Sequence, residues 1–167
     1  MGAKRTELIK ELMCNSRRSD RELAKSLGLT QPTVGKLRKG IEKDKSVSQY
    51  SAIPNLSRLG MEIIAFTLFE WTKYGETKKL QQFEEFVLKQ ESVFFAAPGE
   101  GFDGRTKIFI TIHNDYADFE KFLRLLRAEW ADNMDRMDTF VVSSSNILKN
   151  FDFRGVTKKI QNDKKLA

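Results

Sequence analysis

The sequence predicts an α+β chain in which three N-terminal helices, the last two forming a helix-turn-helix, precede a C-terminal ferredoxin-like βαββαβ domain. Three observations predict it. Residues 4–43 carry helical periodicity punctuated by caps and turn residues, residues 61–144 alternate strand-like with helix-like segments, and Pro54, Asn55, Ser57 and Gly60 break the chain between them.

The first helix is expected over residues 4–14, with Leu8, Ile9 and Leu12 on its apolar side. Cys14, the single cysteine, excludes an internal disulfide and a cysteine-based metal site; in a helical stretch it is expected as a small buried hydrophobe. Asn15, Ser16, Arg17 and Arg18 make a polar connection. Ser19 followed three residues later by Glu22 is a capping box, so a second helix starts near Asp20. Leu23, Ala24 and Leu27 share one of its faces, and Gly28 supplies the left-handed residue that ends it. Thr30 caps a third helix, Pro32 fits its first turn, and Val34, Leu37 and Ile41 form its apolar stripe. Helices joined so tightly cross steeply, and Ala24, Gly28 and Val34 are compact enough for that crossing. The spacing is similar to the helix-turn-helix of DNA-binding proteins, although a plain helical hairpin satisfies it too. After Lys43, the alternation of Val47, Gln49, Tyr50 and Ala52 predicts an extended strand or wing.

Residues 61–71 read as a strand apolar on both faces, 77–90 as a helix presenting Leu80, Phe83 and Val87, and 92–97 as a second strand. A glycine-rich turn at 98–104 leads into a strand over 105–113 through Ile108, Ile110 and Ile112. Asp115 caps a helix to about Trp130 with Phe119, Phe122, Leu123 and Leu126 inward, and 139–144 is the last strand. Both helices of a βαββαβ order cover one sheet face. Phe66, Leu68, Phe95 and Phe109 exceed what that layer can bury, which predicts a homodimer packed sheet to sheet.

Charge divides along the chain. Of 167 residues, the first 50 hold 12 Lys or Arg against 6 Asp or Glu, whereas residues 51–167 hold 17 against 17. The whole excess of +6 sits with the helices, as a surface facing phosphates requires. On the third helix Gln31, Thr33 and Lys36 have the chemistry for base edges; Arg38 and Lys39 a turn later, with Arg17 and Arg18 before the second helix, suit phosphates. No run is long enough to span a bilayer, and the first residues lack a signal-peptide core, so a cytoplasmic location is expected.

The stretch ELAKSLGLTQPTVGKLRKGIEK, then Tyr50 and Ala52 before Leu59 and Gly60, and the glycine-rich turn from Gly99 to Asp103, together resemble the Lrp/AsnC family of bacterial and archaeal transcription regulators. The resemblance implies domains at 1–50 (helix-turn-helix), 51–60 (linker and connecting strand) and 61–146 (dimerisation and possible effector binding), with 147–167 a basic tail. It further implies a homodimer that in many members assembles into octamers, an amino acid or related metabolite as effector, and no other cofactor. By the same resemblance the effector residues are Gly99 and Gly101, whose N–H groups hold a carboxylate, and Asp103, which holds an ammonium group; a simple hairpin turn explains the glycines equally well. Members commonly carry glycine where this chain has Lys45, and the tail, with Phe151, Phe153 and six Lys or Arg against two Asp over 149–167, aligns with no family pattern. It reads as a solvated tail or an added DNA contact. An architectural DNA-organising protein without ligand response is the alternative. A decarboxylase of the haem-pathway type fits less well, because His113 is the lone histidine and no catalytic or metal-spaced cluster exists.

Overall fold

The computed structural model describes residues 2–160 except 74 and 102. They fall into two units, one of residues 2–53 with 149–160, the other Pro54–Leu148.

The first unit begins with α1 (Gly2–Cys14), α2 (Asp20–Leu27) and α3 (Gln31–Lys43). Leu8 and Leu12 of α1, Leu23, Ala24 and Leu27 of α2, and Val34 and Ile41 of α3 bury one core, so each helix contributes the stripe its spacing predicts. Cys14 is exposed rather than buried. It lies two positions past Leu12, about 200° around the helix, and therefore faces away from that stripe. Residues 48–55 form no strand, contrary to the expectation of a wing. Side chains hold this stretch instead of a ladder: Val47 packs partly buried on the helical core, and Tyr50 donates its hydroxyl to Glu42 Oε1 at 3.0 Å. The segment at 149–160 joins this unit, with a short 3-10 turn at Val156–Lys159 against α1. Its Asp152 carboxylate accepts from the Arg154 Nε and Nη2 at 2.9 Å each. Those bonds hold the Asp152 carboxyl down to about 2. Residues 161–167, the rest of the basic tail, lie outside the described residues.

The second unit runs β1 (Ile63–Trp71), α4 (Thr77–Lys89), β2 (Val93–Gly101), β3 (Arg105–His113), α5 (Tyr116–Trp130) and β4 (Met134–Ser143). The strands form one sheet in the order β2-β3-β1-β4 with antiparallel neighbours, the ferredoxin-like arrangement. The register places Phe69, Trp71 and Phe109 under the helices, where they meet Phe83 and Val87 of α4 and Phe122, Leu126 and Trp130 of α5. Rings interlock edge to face, as Phe69 with Phe83 and Phe109 with Phe122, at centroid separations of 5.6 and 5.7 Å. Phe109 thus belongs to the core and not to the opposite face: it alternates with Ile108 and Ile110, which point the other way. On that other face Phe66 lies between Ile110 and Phe140, and Leu68 beside Ile108. Phe140 is 70% exposed and Phe95 47%.

Two strands are longer than their sequence suggested. β2 continues through Pro98 to Gly101, which an edge strand permits because its outer N–H positions need no ladder partner. β4 starts at Met134, which pairs with Trp71 of β1, followed by Asp135 opposite Glu70.

Candidate nucleic-acid interface

The helix pair is built by local rules. Ser19 accepts from the Glu22 N–H at 3.3 Å while the Glu22 carboxylate accepts from the Ser19 N–H at 2.7 Å, closing the capping box. The Ser19 hydroxyl, and then its N–H, hold the Glu22 carboxyl below its ordinary value. Gly28 ends α2 at φ 64°, where any side chain would be strained. Thr30 then caps α3.

This frame sorts the charges. Each of the six acids in the first fifty residues is bound within the unit: Glu7 to Lys4, Glu11 to Arg18, Asp20 to Arg38, Glu22 to Ser19, Glu42 to Tyr50 and Asp44 to Arg5. The cations that bind them are spent. Arg38 donates from Nε to Asp20 Oδ1 at 2.7 Å and from Nη2 to the Arg18 carbonyl at 3.2 Å, and its guanidinium lies 5.8 Å from the Tyr50 ring centroid. Arg18 pairs with Glu11 and donates to the Glu22 carbonyl at 3.2 Å. Both arginines were assigned to phosphates by sequence; the fold engages them as ties between α1, α2 and α3.

The remaining candidates are presented to solvent. Arg17, Gln31, Lys36 and Lys39 are exposed, with no side-chain partner among the described residues, and exposed Thr33 shares its hydroxyl with Thr30 at 2.7 Å. With Val34 and Ile41 buried, Lys36, Lys39 and Lys43 follow one another at intervals of three and four on the opposite face of α3. Lys43 was missed by sequence reasoning, although continuing that spacing would have found it. Arg21 and Lys25, exposed one turn apart on α2, were missed as well; they carry the same signal. The arrangement offers a row of ammonium groups flanked by an amide and a hydroxyl, chemistry suited to phosphates and base edges.

The residues proposed for an effector lie in the second unit. Gly99 sits in β2 and Gly101 (φ 142°) ends it, while Asp103 (φ 60°) lies between β2 and β3. Arg136 Nη1 donates to the Asp103 carbonyl at 2.8 Å and stands 3.6 Å from its carboxylate. Asp103 therefore lies beside the Arg136 guanidinium. His113 is buried and hydrogen-bonded: its Nε2 is 2.8 Å from Thr111 Oγ1 and its Nδ1 3.5 Å from Asp118 Oδ2. Burial pushes the imidazole below its ordinary value of 6.5, against the pull of the Asp118 carboxylate.

No family model and no curated protein matches the chain by sequence. Solved structures do match. An AsnC family transcriptional regulator from Agrobacterium tumefaciens superimposes with a TM-score of 0.74 at 16% identity over 89% of this chain and 92% of that one. Transcriptional regulator NMB0573 from Neisseria meningitidis, solved as its L-Met complex, gives 0.75 at 17% identity over 92% and 97%. LrpC of B. subtilis gives 0.69 at 17% over 89% and 95%. The chain has the fold of the Lrp/AsnC transcription regulators.

Proposed function

We propose that this chain is a sequence-specific DNA-binding transcription regulator of the Lrp/AsnC family, acting as a homodimer or higher oligomer and modulated by an amino acid or related metabolite. The observation that carries the reading is the sorting of charge in the first unit. Each of the six acids of the first fifty residues has a partner within the unit, while Lys36, Lys39 and Lys43 line the outer face of α3 without one among the described residues. A hairpin with no polyanionic partner gains nothing from that arrangement, since clustered cations repel one another. The apolar outer sheet face around Phe66, Ile110 and Phe140 supports pairing of two copies. A two-fold dimer would set two α3 helices in successive major grooves about 34 Å apart on a partly palindromic site. The effector part of the proposal draws on the neighbour solved with L-Met and on the Gly101–Asp103 turn.

Gln31, Thr33 and Lys36 then specify sequence; Arg17 and Lys39 position the helix on the backbone. Footprinting on genomic fragments gives the cognate site, and fluorescence anisotropy on that site and a scrambled one tests the roles. Thr33→Ala and Lys36→Ala each cost about 1–3 kcal/mol on the cognate site and flatten the preference. Arg17→Ala weakens both duplexes alike and lowers the salt slope by about one. Uniform losses for all three variants would overturn the division of roles. Repeating the footprint with an amino-acid mixture separates a ligand-responsive regulator, whose footprint shifts, from an architectural protein, whose footprint does not.

A further inference from the structure

On the helix side of the sheet in the second unit, a cavity of about 240 Å³ opens between α4, β2 and β3. Its floor is apolar, formed by the buried Phe69, Phe83, Val87 and Phe109, and exposed Leu88 stands at its rim. The charged groups lining it are Lys107 and Glu84. Lys107 occupies a core-facing position of β3, and its side chain is only 14% exposed. Most of that side chain is shielded by the fold, its hydrocarbon stem lying along apolar surface while the ammonium reaches toward the cavity mouth. The Glu84 carboxylate, itself 54% exposed, lies 3.4 Å from that ammonium and is its side-chain partner among the described residues. An ammonium has three donors, so beyond Glu84 at least two remain for an anion that enters the chamber.

We infer that this cavity is a binding site for a small carboxylic acid with an apolar body, whose carboxylate takes the open donors of Lys107 while its hydrocarbon part fills the chamber. The asymmetry of the pair sets the sign of the ligand's charge. Glu84 can swing into water at little cost, whereas Lys107 is held under α4, so an incoming anion replaces Glu84 and a cation has nothing buried to meet. The volume lies below the roughly 300–1,000 Å³ of drug-sized sites, which limits the ligand to a small acid. The site is distinct from the Gly101–Asp103 turn and requires nothing of DNA binding.

The test titrates the full chain with a series of one shape and three charges, hydrocinnamate, hydrocinnamyl alcohol and phenylpropylamine, by isothermal calorimetry and amide chemical-shift mapping. Hydrocinnamate is expected to saturate with shifts at Val87, Ala96 and Phe109, binding at least tenfold more tightly than the alcohol, and the amine more weakly still. Lys107→Met, which keeps the apolar stem, brings the acid to the affinity of the alcohol; Lys107→Arg retains the preference. Glu84→Gln, at the exposed side of the pair, tightens the acid severalfold. Equal binding of acid and alcohol, a preference for the amine, or an undiminished acid preference in a folded Lys107→Met chain would overturn the inference. Because no DNA is present, its failure leaves the regulator reading untouched.

Discussion

Lys45 follows α3 at φ 59°, the left-handed region that a β-carbon makes costly. The Lrp/AsnC pattern has glycine at this place, and the geometry gives the reason. Lys45→Gly relieves the strain and should stabilise the first unit by about 1 kcal/mol, raising its midpoint by about 4–8 °C in a thermal melt followed by circular dichroism. An unchanged or lowered midpoint would show that the backbone bears no strain there. At this scale the sequence was legible where the physics is local. Ser19, Gly28 and Thr30 act on residues within four positions of themselves, so spacing alone exposed them. Arg18 and Arg38 were not legible in the same way. Their partners Glu11 and Asp20 lie 7 and 18 residues away and arrive only when the helices pack, so spacing alone did not show that these cations tie the helices together.

Elements repeat that contrast. α4 and α5 were readable from their apolar stripes: Phe83 and Val87 in one, and Phe119, Phe122 and Leu126 in the other, are buried, while Leu80 and Leu123 of the same stripes are half-buried. The lower half of β4 was not readable, because Asp135, Arg136 and Asp138 have poor strand propensity and are held by tertiary partners: Arg136 Nε lies 3.5 Å from Glu70 Oε2, and Asp138 pairs with Arg105. His113, at the end of β3, packs against Phe119 and Phe122 of α5 at centroid separations of 5.3 and 5.5 Å. Its depressed value means that the folded chain binds fewer protons than the unfolded one below 6.5. Stability therefore rises with pH through that window and is lost as the solution is acidified. Urea midpoints measured between about pH 7 and 5 should fall on acidification in the parent chain and fall less in His113→Gln, which stays neutral. Parallel slopes would remove His113 as the source.

At the scale of the whole molecule, the pairing of two copies proposed above rests on the open sheet face. Phe140, most exposed of its residues, faces Phe66 across the β1–β4 ladder. Phe140→Glu places a charge in the apolar patch while leaving the helix-side core intact, and light scattering at micromolar concentration should then report a monomer where the parent gives a dimer or larger. A monomeric parent would defeat the sheet-to-sheet reading. The βαββαβ order was legible because alternating apolar segments of strand and helix length leave few topologies open. Which face Phe109 occupied was not, since it turned on a register set only by pairing with β1. The exposed Cys14 has a practical corollary. As the chain's sole thiol, it accepts a nitroxide or a fluorophore at one defined place per protomer without engineering. In a two-fold assembly the two probes would yield a single distance distribution, a ruler between the paired helical units whose reading with and without duplex tracks their spacing on a half-site pair.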